Sequence, residues 1–212
     1  MAKEGIPVVL ALLLLSIILI IGARLTEGIV LPILTVITWL LLLFAIYFFR
    51  DPNRKIPDEA NAIISPADGK VIVIDEVFEN DFFKAKVRKV SIFMSVYSVH
   101  VNRIPIDGNV VHFDYKKGKF YPAYKDEAAF QNEQTTIGIE NENIKILFKQ
   151  IAGIMARRIV CNVREGMKVT KGERFGMIKF GSRVDLFLPL HVQLKIELHQ
   201  KVTAGETIIG LY

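Results

Sequence analysis

The sequence predicts an N-terminal transmembrane helical hairpin followed by a mainly β domain, barrel-sandwich-like and built of short strands. Three observations predict it. The first 49 residues hold two long runs without charge. Beyond them, runs rich in Val, Ile and Phe alternate with Gly, Asn and Asp turns. And one turn sequence, Val169-Thr170-Lys171-Gly172-Glu173, is echoed by Val202-Thr203-Ala204-Gly205-Glu206.

The anchor comes first. Residues 6–23 and 28–49 contain no charged side chain. At 1.5 Å per residue they reach about 27 and 33 Å, enough to cross a hydrocarbon core. Only Arg24-Leu25-Thr26-Glu27 separates them, so a tight hairpin is expected. Pro7 and Pro32 fall early in their helices, where a missing backbone donor costs little. A cleaved signal peptide is the alternative for the first run. Its basic region is weak, because Glu4 offsets Lys3, and a second long span follows at once. Arg50, Arg54 and Lys55 follow the second span while only Arg24 lies in the loop. That bias places the remainder of the chain on the cytoplasmic side of the cell membrane.

Residues 50–212 form the expected second domain. Pro52 and Pro57 make its entry short and extended. Strands are expected at 70–75, 89–94, 109–113, 136–140, 144–148, 158–163, 174–180 and 192–198, with one short helix over 121–132. In the repeated turn, Gly takes a positive φ and Glu starts the next strand, as in lipoyl- and biotinyl-type barrel-sandwich folds. Such folds host many chemistries, so the repeat speaks to architecture alone.

Charge narrows the partners. The chain has 27 Lys and Arg against 22 Asp and Glu, a net charge of +5. Residues 1–49 cancel, so the excess belongs to 50–212. A basic domain tethered to a bilayer is drawn to anionic headgroups. No helix-turn-helix, zinc-finger or RNP-like pattern points to nucleic acid. Cys161 is the only cysteine, which rules out an internal disulfide and reads as a small core residue in an apolar run. His100, His112, His191 and His199 have no metal-ligand spacing, so no metal is expected.

The chemistry-bearing residues lie in four segments: Phe48-Phe49-Arg50-Asp51-Pro52, Ser65-Pro66-Ala67-Asp68-Gly69, Ser95 through Pro105 with Val99-His100-Val101-Asn102-Arg103-Ile104-Pro105, and Gly181-Ser182. In this order, behind a membrane anchor, they resemble the phosphatidylserine decarboxylase family of pyruvoyl enzymes, in the short form found in archaea and some bacteria. The resemblance covers most of 47–189.

It implies a proenzyme. Ser182 would attack the carbonyl of Gly181, an N-to-O acyl shift would give an ester, and elimination followed by hydrolysis would leave a pyruvoyl group in place of Ser182. The chain would part into a β chain of 1–181 and an α chain of 182–212. The covalent pyruvoyl group would be the cofactor, forming a Schiff base with the amine of a serine phospholipid, phosphatidylserine or archaetidylserine, whose carboxylate then leaves as CO2. At matching positions, Asp68 and His100 are the implied base and base-orienter for Ser182, and His100 the group that protonates the decarboxylated product.

The chain departs from the pattern of two histidines three residues apart, carrying Arg103 at the second place. A relay through that second histidine is therefore excluded. Arg103 is instead a candidate clamp for a substrate carboxylate or phosphate. Without the family, Asp68 before Gly69 is a turn residue and His100 a buried structural histidine. The different-class alternative is a membrane-anchored adaptor or biotinyl/lipoyl-type carrier, with Lys168 in Gly166-Met167-Lys168-Val169 as acceptor. Oligomeric state stays open, a homo-oligomer included.

Overall fold

The computed structural model describes residues 1–125, 127–154, 159–179 and 181–212. The chain divides into two compact units, Met1–Pro52 and Asn53–Tyr212.

The first unit is two apolar helices, α1 (Ile6–Leu25) and α2 (Val30–Phe48). Both are long and apolar enough to cross a membrane, and their Leu and Ile side chains point outward around most of the circumference. Hydroxyls in these helices turn back on their own backbone: Ser16 bonds Leu13 O, Thr35 bonds Leu31 O and Thr38 bonds Leu34 O. That satisfies a polar group where lipid offers no partner. The chain entry is tied to the exit by Ala2 N–H on Phe49 O at 2.8 Å.

The second unit is mainly β. Its strands are β1 (Ala62–Ile64), β2 (Gly69–Glu79), β3 (Ala85–Met94), β4 (Val101–Arg103), β5 (Gly108–Lys116), β6 (Gln134–Glu140) and β7 (Lys145–Ile151). They continue as β8 (Ile159–Cys161), β9 (Lys168–Val169), β10 (Arg174–Ile178), β11 (Ser182–Leu188), β12 (Gln193–Leu194), β13 (Lys201–Val202) and β14 (Ile208–Leu211). One short helix, α3 (Ala128–Gln131), follows β5. An eight-stranded antiparallel sheet runs β13-β2-β3-β11-β7-β6-β5-β9, and two three-stranded sheets run β1-β14-β12 and β4-β10-β8. The apolar core, with Ile92, Ile137, Phe148, Phe175, Val184 and Leu186, lies on one face of the large sheet.

Strand orders and registers show an internal duplication. The large sheet reads the same from either end if β13, β2, β3 and β11 are matched with β9, β5, β6 and β7, and the two small sheets are then also equivalent. In the first half Gly69 pairs with Val202, and in the second Gly108 pairs with Val169. Ile63 faces Gly210 as Asn102 faces Gly176, and each ladder bulges at the next pair. The halves clasp reciprocally, Ile64 N–H on Pro105 O and Arg103 N–H on Pro66 O, both at 3.0 Å. The sequence carries the trace in Pro66-Ala67-Asp68-Gly69-Lys70-Val71 and Pro105-Ile106-Asp107-Gly108-Asn109-Val110. The repeated Val-Thr-x-Gly-Glu turn is one part of this larger repeat, and Gly172 and Gly205 take φ of +83° and +80°. The second half, β4–β10, is inserted whole between β3 and β11 of the first.

The expected strands differ from these in several places. The strand at 192–198 contracts to Gln193–Leu194, and the helix over 121–132 to Ala128–Gln131. Asp126 in that helix, Arg158 at the head of the sixth expected strand and Phe180 at the end of the seventh lie outside the described residues. β11 adds a strand to those eight, on a run after Gly181-Ser182 that reads as β-like although it carries Arg183 and Asp185. They stand two apart on one face and bond each other, Arg183 Nη2 to Asp185 Oδ2 at 2.9 Å, so a buried strand tolerates both.

Candidate active site

Gly181-Ser182 sits where the inserted half returns to the first. The matching join in the second half, β6 to β7, is a tight turn in which Asn141 Oδ1 accepts the N–H of Asn143 and Ile144. Between β3 and β11 that turn is replaced by the entire inserted half. Both sides of the Gly181–Ser182 bond are thus held independently, β10 by β4 and β8, β11 by β3 and β7. A chain break here leaves Ser182 paired in β11, while β10, which ends at Ile178, keeps its own partners.

Gly181 has a φ of +59°, a left-handed conformation that costs other residues roughly 1 kcal/mol or more. Ser182 is fully buried. Its register partner is Met94, and its Oγ–H donates to Met94 Sδ at 3.2 Å. A thioether is a weak acceptor and no base, so the hydroxyl is held but not activated. The carbonyl of Gly181 packs against the α-carbon of Gly153, where an added Cβ would overlap its oxygen.

Beneath Met94 lies a buried polar chain. Asn102 Nδ2 reaches Met94 Sδ at 3.8 Å and Pro66 O at 3.3 Å. Gln150 Nε2 donates to Asn102 Oδ1 at 2.8 Å, and Thr135 Oγ1 donates to Gln150 Oε1 at 2.7 Å. The fold does not demand these amides. The duplication matches Asn102 with Ile63 and Gln150 with Leu188, and all four are fully buried. Sequence reading missed Met94, Asn102, Gln150 and Thr135. The Pro-x-Asp-Gly repeat was the signal that could have aligned the halves and shown polar residues at core positions.

His100 precedes β4 and is fully buried. Its backbone carbonyl accepts the N–H of Ile178 at 3.3 Å, which sets it beside the strand leading to Gly181. Its Nδ1 lies 2.9 Å from Ser98 O. A carbonyl only accepts, so Nδ1 carries the proton and a neutral ring keeps its lone pair on Nε2.

Asp68 and Arg103 are placed differently. Both Asp68 carboxylate oxygens accept from Arg54 Nη2, at 3.0 and 2.8 Å, and Oδ1 also accepts Ala204 N–H at 2.8 Å. Its duplicate Asp107 accepts Lys171 N–H at 2.8 Å in the same way. Capping this turn is therefore common to both halves, and the arginine distinguishes Asp68. Arg103 is buried, and its Nη1 donates to Gly172 O at 2.9 Å. Its Cδ would lie 2.8 Å from a Cβ at Gly205, so it braces both Gly-Glu turns.

Burial pushes the Cys161 thiol up, opposed by a Val163 backbone hydrogen bond and Arg164. Lys168 lies inside the β5–β9 ladder opposite Asn109. Among the described residues no group of three or more His, Cys, Asp or Glu is placed to hold a metal ion.

The profile of the family described as phosphatidylserine decarboxylase matches residues 41–210. Three relatives named phosphatidylserine decarboxylase proenzyme illustrate the similarity. That of Chlorobium limicola is 43% identical over 208 residues, 98% of either chain. That of Syntrophus aciditrophicus is 43% identical over 212 residues, 100% of this chain and 97% of its own. That of Desulfotalea psychrophila is 49% identical over 179 residues, 84% of both.

Proposed function

The chain belongs to the phosphatidylserine decarboxylase family and is a carboxy-lyase, and we propose that it decarboxylates the serine headgroup of a membrane phospholipid after cutting itself before Ser182. The observation that carries the reading is the buried Ser182 beside a left-handed Gly181 at the seam between the two halves, with β10 and β11 each paired to other strands on either side of the bond. The relatives are named for phosphatidylserine. The reaction touches only the headgroup, so archaetidylserine fits the same chemistry. The two apolar helices hold the enzyme at the cell membrane, with residues 53–212 on the cytoplasmic side facing its lipid.

Self-cleavage balances on the chain's own atoms. Ser182 Oγ bonds to the Gly181 carbonyl carbon, the amide C–N bond breaks, and the hydroxyl proton passes to the freed amine. Loss of the Ser182 α-proton then expels the Gly181 carboxylate, and water replaces the nitrogen as ammonia. His100, with Nε2 as the lone-pair nitrogen, is the proposed base, and Asp68 the proposed orienting carboxylate. The cofactor fits because it is built from Ser182 itself, in a space already formed by Met94 and Gly153. Its carbonyl supplies the electron sink for departing CO2. His100 then holds the proton delivered to the headgroup carbon, and Arg103 is a proposed clamp for an anionic substrate group.

Intact-mass analysis of the purified full chain tests this. Two fragments are expected, 1–181 and 182–212, the smaller with a carbonyl in place of its amine. A protein that stays whole while producing the ethanolamine lipid would refute the proposal. The duplicated aspartates give a second test. Asp107→Asn keeps a capping oxygen and is expected to leave cleavage unchanged. Asp68→Asn also keeps the cap but loses the charge facing Arg54, and is expected to slow fragment formation. Equal rates for the two variants, read by gel over time, would reduce Asp68 to a turn residue.

A further inference from the structure

The geometry points to Gly153 as a positioning residue for self-cleavage, an inference that rests on the reading just given. A Cβ at Gly153 would collide with the carbonyl oxygen of Gly181 and come within 3.0 Å of its carbon. That carbonyl is the one Ser182 must attack, and its oxygen takes the negative charge when the Oγ–C bond forms. Gly153 is absent from the glycines of positive φ, which among the described residues are Gly166, Gly172, Gly181 and Gly205. Its conformation is open to any residue, so the missing side chain serves space and not backbone freedom.

The backbone that presents Gly153 is fixed on its N-terminal side. Ala152 N–H donates to Glu133 O at 2.9 Å, and Ala152 O accepts Asn132 Nδ2 at 2.7 Å. Asn132 is fully buried and is locked in turn by Tyr121, accepting its N–H at 2.8 Å and donating to its carbonyl at 2.8 Å. Ala123 closes the side, 3.3 Å from where the Gly153 Cβ would stand. A side chain at 153 therefore has no slack to retreat into, and the scissile carbonyl must turn or shift. Displacing a reacting group by about 1 Å costs on the order of 10²-fold in rate.

The test follows appearance of the 182–212 fragment in the full chain purified in detergent. Gly153→Ala is expected to slow it on the order of 10²-fold. Hydroxylamine, which cuts esters, should not release the fragment from this variant, because the block precedes the ester. Gly108→Ala is the control for crowding: its Cβ would also collide with a backbone carbonyl, 2.5 Å from Glu140 O, away from Ser182. Its folded fraction should be cut at the wild-type rate. Asn132→Asp keeps volume and removes the amide donor to Ala152, and should slow cleavage without adding bulk. Wild-type cleavage in Gly153→Ala, or equal slowing in Gly108→Ala, overturns the inference while leaving the proposed function standing. If Gly153→Ala yields no folded protein, unchanged cleavage in Asn132→Asp overturns it. An uncut wild type removes the reading beneath it and the inference together.

Discussion

Ser182→Ala is expected to give a single uncut chain with no decarboxylase activity, a loss of at least about 10⁶-fold, since the whole catalytic advantage of the proposed cofactor disappears. The variant should nevertheless fold. The Ser182 hydroxyl makes one hydrogen bond, to the thioether of Met94, and removing both a donor and its weak use of an acceptor costs less than about 1 kcal/mol. Residues 183–188 keep their pairing with β3 and β7 through backbone groups that the substitution does not touch. Thermal unfolding within a few degrees of a processing-competent control would show that the lost activity is chemical. Ser182→Cys sharpens the result. A thiol can make the corresponding shift, and the thioester should be open to hydroxylamine, releasing 182–212 without the carbonyl end. An alanine variant that still splits before residue 182, or still releases CO2, would remove Ser182 from the mechanism.

Much of the architecture was legible because the two physical signals are strong and local. Uncharged runs of bilayer length need no tertiary context, and α1 and α2 fall where the charges stop. The long strands β2, β3 and β5–β7 were found by their Val, Ile and Phe content, though each extends beyond its most apolar stretch. Strands of two to four residues, such as Ala62–Ile64, Lys201–Val202 and Ile208–Leu211, carry too few side chains to show a period. β11 was legible only as a β-like run, not as a fully buried strand: its Arg183 and Asp185 neutralise each other, with Lys89 Nζ 3.6 Å from the same carboxylate, a fact that exists only across strands. The site shows the same division. Gly181, Ser182 and His100 were visible as residue types in motifs. Gln150 and Thr135 were not, and Asn102 stood in a motif without a role, because a buried polar side chain looks like a surface one until its partners are placed.

The duplication supplies an internal comparison that needs no second protein. Where both halves do the same job they keep the same chemistry, as Asp68 and Asp107 do on Ala204 and Lys171. Where they diverge inside the core, packing alone does not explain the change. Burying Asn102 and Gln150 where Ile63 and Leu188 suffice exposes the fold to roughly 1–3 kcal/mol for any bond left unmade. That liability is concentrated in a chain of contacts ending at Met94, the residue that holds the Ser182 hydroxyl. Pro66 O, which bonds the Asn102 amide, brings the Ser65–Gly69 segment to the same place. Three of the four motif segments therefore meet around one serine, although Asp68 and Arg103 within them face the Gly-Glu turns.

His100→Ala is expected to slow both maturation and turnover, by about 10²- to 10⁴-fold for a removed general acid–base. The two roles separate by measuring fragment formation first and CO2 release per matured chain second. Alanine also empties a fully buried site, so His100→Asn is the informative companion. Its Nδ2 can stand where Nδ1–H donates to Ser98 O, preserving the one interaction that orients the ring, while the lone pair of Nε2 is gone. If His100 acts as base, Asn fails as badly as Ala in cleavage although its thermal stability is closer to wild type. Imidazole added to the alanine variant should restore part of the cleavage, because the vacated space matches the ring. If His100 is only a structural histidine, Asn restores processing in proportion to stability and imidazole does nothing. Self-cleavage and full turnover in His100→Ala would contradict both proposed roles and return the search for a base to Asp68 or to water.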